Sequence, residues 1–155
     1  MADATDILQV ARDAGLKIAT AESCTGGMIS AALTDIAGCS DVFERGFVTY
    51  SNEAKQDMLS VQADSLATHG AVSEQVAAEM ATGAVNASNA DIAVSVTGIA
   101  GPGGSEHKPE GRVCFGVATS DGVKTETIEF GPLGRANVRQ KTVEYALTLL
   151  RQSLP

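Results

Sequence analysis

The sequence predicts an α/β fold, a three-layer α/β/α sandwich around a mixed, mostly parallel sheet of about five strands. Helical patterns separate the early strand patterns, which favours parallel strands with helices on both faces of the sheet. A turn signal at Asp121-Gly122 joins two late strand segments into an antiparallel hairpin. Aromatic residues make up only 4% of the chain while Gly and Ala are abundant, and such small side chains suit helices that lie close to a sheet.

The first half of the chain alternates helices and strands. Asp3 or Thr5 caps a first helix, which Gly15 ends, and Asn52 is placed to cap the third helix. An internal glycine, Gly46, favours a bulge in the second strand. The predicted elements after the first helix are a strand over 16–21, a helix over 28–36, a strand over 42–51, a helix over 53–59 and a short helix over 64–69.

The second half begins with an amphipathic helix and ends with another helix. Ser73 caps the first of these, in which apolar residues from Val76 to Val85 recur at helical spacing. Residues 91–97 and 112–119 have the composition of strands, and 123–130 alternates as the partner of the second. The final helix is predicted over 135–154, and a glycine-rich loop over 98–105 belongs to neither type of element.

Length and charge limit the classes of function. At 155 residues the chain is expected to form one domain, 1–155. The net charge of −8 and the scattered Lys and Arg residues argue against direct nucleic-acid binding. Three cysteines without CxxC spacing, and no apparent signal peptide, predict free thiols in the cytoplasm. No apolar run reaches the roughly 20 residues of a membrane span.

Polar residues cluster where predicted strands end. The run Ala19–Gly27 passes from a buried strand through Ser, Cys and Thr to Gly-Gly and a helix. Such a turn places hydroxyls at the carboxyl end of a strand and leaves backbone N–H groups at a helix start. The segments 38–55 and 97–105 carry further polar residues, and we expect all three to meet at one edge of the sheet.

The residue types present limit the catalytic mechanisms that the chain can use. The sequence has no P-loop, no GxSxG and no HExxH, and its two histidines lie at a helix end and in a loop. The sequence therefore has too few suitably placed histidines to favour a zinc site or a Ser-His-Asp triad. A serine activated by lysine remains, with Ser23 or Ser40 as nucleophile and Lys55 as base. Cys24 is an alternative nucleophile, ranked lower because no histidine accompanies it.

Five motifs together resemble one known family. They are TAESCTGG (20–27), FERGFVTYSNEAK (43–55), HGAVSE (69–74), TGIAGPGG (97–104) and KPEG (108–111). In this order and over nearly the whole chain they resemble the CinA C-terminal domain, also known as the nicotinamide-nucleotide amidase family. There is one minor departure from the family pattern: Cys39 stands before Ser40, where a small residue, often Gly or Ser, is expected.

The resemblance implies hydrolysis of the carboxamide of nicotinamide mononucleotide to nicotinate mononucleotide and ammonia. It implies a Ser/Lys pair without metal or cofactor, in which the family's catalytic positions fall on Ser23, Lys55 and Tyr50. Backbone N–H groups of 25–27 or of 98–101 would hold the oxyanion, and the 101–104 loop or an arginine of the last helix would hold the phosphate. The expected substrate-binding residues are Glu22, Thr25, Gly26, Gly27, Ser40, Thr97, Gly98, Gly101, Arg135 and Arg139.

Two alternatives stay open at this stage. The glycine loops could serve a nucleotide-binding or regulatory module without turnover, associated with competence or DNA damage. The chain could also be an amidase of another small carboxamide. In each case we expect a small-molecule ligand and a homo-oligomer.

Overall fold

The architecture follows the predicted order of elements. The computed structural model describes residues 2–155. It contains α1 (Ala4–Ala14), β1 (Ile18–Glu22), α2 (Met28–Thr34), β2 (Phe43–Val48), α3 (Asn52–Leu59), α4 (Ala63–His69), α5 (Glu74–Asn86), β3 (Ile92–Gly98), β4 (Arg112–Thr119), β5 (Gly122–Glu129) and α6 (Arg135–Ser153), with a 3₁₀ turn, Cys39–Asp41, before β2. None of these helices is long and apolar enough to cross a membrane.

The five strands form one mixed sheet in the order β2-β1-β3-β4-β5. Strand β1 pairs in parallel with both β2 and β3, whereas β4 is antiparallel to β3 and to β5. The predicted mixed sheet of five strands is confirmed. The parallel part is the β2-β1-β3 half, and the late hairpin supplies the antiparallel half.

Two apolar clusters cover the two faces of the sheet. Helices α1, α2 and α6 pack on one face, where Ile18, Val94 and Phe115 contribute strand side chains. Helices α3, α4 and α5 pack on the other, where β1 presents only Ala19 and Ala21. These small side chains let α5 approach the sheet closely, as the scarcity of aromatic residues predicted.

Strand β2 departs from its prediction in length and in the position of its bulge. It ends at Val48 rather than at 51, and the register shifts between the pairs Ile18–Phe43 and Ala19–Arg45, so the bulge lies at Glu44. Gly46 has another role: a Cβ there would collide with the hydroxyls of Ser30 and Thr20, which hydrogen-bond each other at 2.7 Å.

The helix boundaries differ by a few residues from those predicted. Asp3 caps α1 and Ser73 caps α5, as expected. Helix α3 is capped by Ser51 rather than Asn52, because the Ser51 hydroxyl accepts the hydrogen bond from the Ala54 amide at 3.0 Å. Helix α2 ends at Thr34, two residues before its predicted end.

Candidate active site

The carboxyl ends of β1 and β3 open onto a cleft of about 350 Å³. The turn after β1, the start of α3, the turn before α5 and the loop after β3 form its walls, and the first residue of α6 closes one side. Its lining includes Ser23, Cys24, Tyr50, Asn52, Lys55, Ala71, Val72, residues 97–106 and Arg135. Among the described residues, no group of three or more His, Cys, Asp or Glu is placed to hold a metal ion.

Ser23 and Lys55 meet at the floor of this cleft. The Lys55 Nζ atom lies 2.9 Å from the Ser23 Oγ atom. Ser23 sits just after β1, where its amide donates to the Val96 carbonyl of β3 at 3.1 Å. Lys55 lies in the first turn of α3, so the strand end and the helix start face each other across the same sheet edge.

Lys55 is buried, with only 1% of its surface exposed. Its Nζ atom also lies 3.0 Å from the carbonyl oxygen of Thr49 and 3.1 Å from that of Tyr50. Burial penalises the charged ammonium and lowers the pKa of Lys55 to about 8, although the negative charge of Glu106 acts in the opposite direction. Deprotonation of Lys55 therefore falls near physiological pH.

The three oxygen contacts of Nζ can be satisfied in either protonation state of Lys55. A neutral lysine has two N–H donors and one lone pair, whereas an ammonium has three donors and no acceptor. As an ammonium, Lys55 donates to the Ser23 hydroxyl oxygen and to the Thr49 and Tyr50 carbonyls, while the Ser23 hydroxyl donates to the Tyr50 carbonyl at 3.3 Å. Once the amine is neutral, its two N–H groups keep the two carbonyls and its lone pair faces the Ser23 hydroxyl. That arrangement allows the amine to accept the hydroxyl proton.

Cys24 is next to Ser23 in sequence and also borders the cleft, but it is almost completely buried. Its side chain is 5% exposed and belongs to the apolar cluster beneath α6. Burial raises the pKa of the Cys24 thiol to about 12. The thiolate is thus scarce at neutral pH, which favours Ser23 over Cys24 as the nucleophile.

Glu22 and Thr25, which we expected to bind the substrate, do not line the cleft, and their side chains hydrogen-bond each other within the turn after β1. Glu22 is fully buried, and its carboxylate accepts hydrogen bonds from the Thr25 hydroxyl, the amides of Gly27, Ile29 and Ser30, and the Ser30 hydroxyl. A carboxylate at a helix start satisfies backbone donors there and interacts favourably with the helix dipole. Glu22 therefore fixes the turn and the start of α2.

The glycines of this turn do not supply free amides. The Gly26 amide donates to the Ser23 carbonyl at 3.1 Å, and the Gly27 amide donates to Glu22 at 3.2 Å. Both glycines have positive φ, 57° and 107°, which a residue with a side chain rarely adopts. Their role is to shape the turn that presents Ser23, and neither is placed as an oxyanion donor.

The two arginines of α6 have different surroundings. Arg135 lines the cleft, and its guanidinium donates to the Tyr50 hydroxyl at 2.9 Å and to the Gly101 carbonyl at 2.8 Å. Arg139, one turn later, donates to the carbonyls of Cys24 and Thr25 at 3.0 and 3.1 Å. Arg139 thus holds the turn after β1 from behind and does not line the cleft.

The loop after β3 forms the second wall, as predicted. Thr97 is 1% exposed, and its hydroxyl donates to the Ala71 carbonyl at 2.9 Å, which ties the strand end to the turn before α5. A Cβ at Gly98 would lie 2.7 Å from a methyl group of Val113. Gly101 has a φ of 89° and offers its carbonyl to Arg135. These three residues line the cleft mainly through their backbone.

Ser40 lies away from the cleft, contrary to expectation. It is in the 3₁₀ turn that precedes β2, and β2 runs parallel to β1. Residues before β2 are therefore at the amino ends of the parallel strands, whereas Ser23 follows the carboxyl end of β1. Within one chain, the length of a strand separates Ser40 from Lys55, so only Ser23 is in reach of this lysine.

Tyr50 contributes to the site in two ways. Its carbonyl accepts a hydrogen bond from Lys55, while its side chain is 60% exposed at the mouth of the cleft. The phenol oxygen accepts from Arg135 and does not contact Ser23.

One charged residue of the cleft was not anticipated from the sequence. Glu106 lines the second wall, at the tip of a two-residue hairpin closed by Ser105 and Lys108. The SEHK sequence lacks the Gly or Asn that marks such a turn, so no signal in the sequence indicated it.

Comparison with known proteins gives one consistent result. A family model described as "CinA C-terminal domain" matches residues 2–154. The protein "Nicotinamide-nucleotide amidohydrolase PncC" of Escherichia coli strain K12 is 53% identical over 145 residues, which are 93% of this chain and 88% of that protein. A "CinA-like protein" of Mycolicibacterium gilvum is 51% identical over 142 residues, 91% of this chain but 34% of that longer protein.

Solved structures agree with the sequence relatives. The crystal structure of the competence/damage inducible protein CihA from Agrobacterium tumefaciens has a TM-score of 0.93 at 50% identity and covers 96% of this chain and 92% of that one. A CinA superfamily protein of Escherichia coli has a TM-score of 0.94 at 38% identity, over 97% and 88% of the two chains. The chain belongs to the CinA C-terminal domain family.

Proposed function

We propose that the chain hydrolyses the carboxamide of nicotinamide mononucleotide to nicotinate mononucleotide and ammonia, with Ser23 as nucleophile and Lys55 as general base. The contact between Lys55 Nζ and Ser23 Oγ at 2.9 Å carries the proposal. The name of the Escherichia coli relative, a nicotinamide-nucleotide amidohydrolase at 53% identity, gives the reaction and the substrate class.

Acylation uses the two residues in turn. Neutral Lys55 accepts the proton of the Ser23 hydroxyl while Oγ forms a bond to the carboxamide carbon. Lys55 then donates this proton to the amide nitrogen as the C–N bond breaks, and ammonia leaves. The product of this half-reaction is an ester between Ser23 and the nicotinoyl group.

Deacylation repeats the exchange with water. Lys55, neutral again, accepts a proton from a water molecule that attacks the ester carbon. The ester C–O bond breaks, and the proton returns through Lys55 to Ser23. The nicotinate product leaves as a carboxylate, and its proton passes to solvent or to ammonia.

The amide of Cys24 is the best-placed oxyanion donor in the turn after β1. It follows the nucleophile directly, a position that supplies an oxyanion donor in other serine hydrolases. Within residues 2–155 it donates to no acceptor, unlike the amides of Gly26 and Gly27. One such donor is worth about 3 kcal/mol of transition-state stabilisation.

Arg135 is the proposed ligand of the substrate's 5′-phosphate. It lines the cleft, and a guanidinium can hold a phosphate through two parallel hydrogen bonds. Arg139 is not proposed for this role because its guanidinium is already bonded to two carbonyls of the turn.

The test is the release of ammonia and nicotinate mononucleotide from nicotinamide mononucleotide by the purified chain. The two products should appear in equal amounts, and their release should stop when the substrate is exhausted. The riboside, which lacks the phosphate, should react with at least about tenfold lower kcat/KM. Thermal stabilisation by the nucleotide without ammonia would instead support a binding module, and equal kcat/KM for both compounds would support a different small carboxamide.

We further propose a single domain over 1–155 that forms a homo-oligomer in the cytoplasm and does not bind nucleic acid directly. All three cysteines are free, as is usual in a reducing compartment, and the net charge of −8 offers no attraction to polyanions. Light scattering of the purified chain measures the oligomeric state.

A further inference from the structure

The cleft carries two charges of opposite sign besides the buried lysine. Among the described residues that line it, Glu106 is the only carboxylate and Arg135 the only guanidinium. Both are on the outer part of the cleft, whereas Lys55 is at its floor.

The carboxylate of Glu106 has no partner within residues 2–155. Neither a hydrogen bond nor a salt bridge is made by it, whereas Glu110 on the same loop accepts from the amides of Gly103 and Gly134 at 2.7 and 3.1 Å. Glu110 thus stabilises the loop, and Glu106 does not. A charge that contributes nothing to the loop is free to meet a ligand.

The backbone holds Glu106 against the cleft in an unusual conformation. Ser105 and Lys108 exchange amide–carbonyl hydrogen bonds of 2.9 and 2.8 Å, and the two residues between them, Glu106 and His107, have positive φ of 52° and 64°. Few residues other than Gly, Asn and Asp adopt this conformation, and such strained positions concentrate at functional sites.

The neighbouring wall makes room for this carboxylate. A Cβ at Gly70 would lie 2.5 Å from the Glu106 Oε2 atom, so a side chain at Gly70 would displace it. The Lys108 ammonium donates to the carbonyls of His69 and Val72, each at 2.6 Å, and so ties the hairpin to the wall that contains Ala71 and Val72.

We propose that Glu106 recognises the positively charged pyridinium ring of the substrate and thereby selects oxidised, cationic pyridine nucleotides over ones with a neutral ring. The inference rests on the proposed function, because it places the carboxamide at Ser23. A nicotinamide nucleotide then carries a cation beside the reacting carbon and an anion at the phosphate. The opposite charges of Glu106 and Arg135 complement both ends.

The position of Glu106 also links ring binding to the base. Its negative charge acts on Lys55 and favours the ammonium form. A cationic ring next to Glu106 offsets that charge, so substrate binding favours the neutral amine that the reaction requires. A substrate with a neutral ring lacks this effect.

The experiment compares Glu106→Gln with Glu53→Gln and with the unchanged chain. Gln keeps the size of the side chain and removes its charge; Glu53 is exposed at the start of α3 and does not line the cleft. The measured quantities are kcat/KM for nicotinamide mononucleotide and the inhibition constant of its reduced form, which has the same phosphate and carboxamide but a neutral dihydropyridine ring.

We expect Glu106→Gln to lower kcat/KM for the oxidised nucleotide about fivefold, the upper end of the effect of one solvent-exposed charge pair. The inhibition constant of the reduced nucleotide should change less than about twofold, and Glu53→Gln should change neither. An equal loss for both nucleotides would mean that Glu106 only shapes the loop, and no loss for either would mean that it does not meet the ring; each result overturns the inference.

The two proposals fail separately. If the unchanged chain releases no ammonia from the oxidised nucleotide, the proposed function fails. Calorimetric binding of the oxidised and reduced nucleotides then decides the inference, since neither is consumed. The inference is supported if Glu106→Gln binds the oxidised nucleotide more weakly than the unchanged chain does and binds the reduced nucleotide equally well. It is contradicted if the unchanged chain and Glu106→Gln bind the oxidised nucleotide with equal affinity.

Discussion

The Lys55 Nζ atom lies 2.9 Å from the Ser23 Oγ atom although 32 positions separate the two residues in the chain. The contact exists because β1 and β2 are parallel, so the turn after β1 and the helix after β2 start at the same sheet edge. Two backbone carbonyls hold the amine in place, and burial in this position makes it a weaker base than a surface lysine.

Activity should rise with pH through the pKa of Lys55. Only the neutral amine can accept the Ser23 proton, and the pKa of about 8 means that this form grows between pH 7 and pH 9. We expect kcat/KM for nicotinamide mononucleotide to increase up to tenfold per pH unit below about pH 8 and to level off above it. Ammonia release across this range, corrected for spontaneous decay, is the measurement; a profile that stays flat would contradict the role of Lys55.

The same lysine should make folding stability depend on pH. Its folded pKa of about 8 is below the ordinary 10.5, so between these values the unfolded chain binds more protons than the folded one. Stability of the unchanged chain should therefore rise with pH in this window, relative to Lys55→Met, by up to about 1.4 kcal/mol per pH unit. Below about pH 8 the difference should be constant. Urea unfolding of the unchanged chain and of Lys55→Met at several pH values measures this difference in the free energy of unfolding. A difference that stays constant at every pH would contradict the lowered pKa of Lys55.

Removal of Arg135 should weaken binding of the nucleotide rather than slow the chemistry. Arg135→Ala is expected to raise KM for the nucleotide at least about tenfold and to leave kcat/KM for the riboside nearly unchanged. Lys141→Ala is the matched control, because it removes one positive charge from the exposed side of α6. An equal loss for nucleotide and riboside would show that Arg135 acts on the cleft as a whole, through Tyr50 and Gly101.

Loss of the Glu22 carboxylate should destabilise the fold. Three amides and two hydroxyls at the start of α2 donate to it in a fully buried position. We expect Glu22→Ala to lower the free energy of unfolding by about 3 kcal/mol. Thermal and urea unfolding measure this; a midpoint equal to that of the unchanged chain would show that water replaces the carboxylate without cost.

The sequence was sufficient for the order of elements and for placing Ser23 and Lys55 at one edge of the sheet, but it left open whether Ser23 or Ser40 lies next to the lysine. Periodicity and capping residues located the helices, and strand direction placed both residues at the same edge. It was misleading for Ser40 because one polar segment, 38–55, includes residues on both ends of β2. Serines at the two ends of a strand look alike in a sequence but lie a strand length apart.

Side-chain direction was the part that the sequence could not provide. Glu22 and Ser23 are adjacent, yet one faces the helix start and the other the cleft. Arg135 and Arg139 are one helical turn apart, yet Arg135 lines the cleft and Arg139 donates to the carbonyls of the turn after β1. The position of Glu106 in the cleft wall depends on a positive φ, which glutamate rarely adopts.

The most direct test of the central claim is the rate of ammonia release from nicotinamide mononucleotide by Ser23→Ala and Lys55→Met. Ser120→Ala serves as control, since this exposed serine lies in the β4–β5 turn at the other end of the sheet. We expect each of the first two variants to fold and to lose at least about a hundredfold in kcat, while the control keeps the full rate. A Ser23→Ala chain that releases ammonia at a near-normal rate would contradict the central claim.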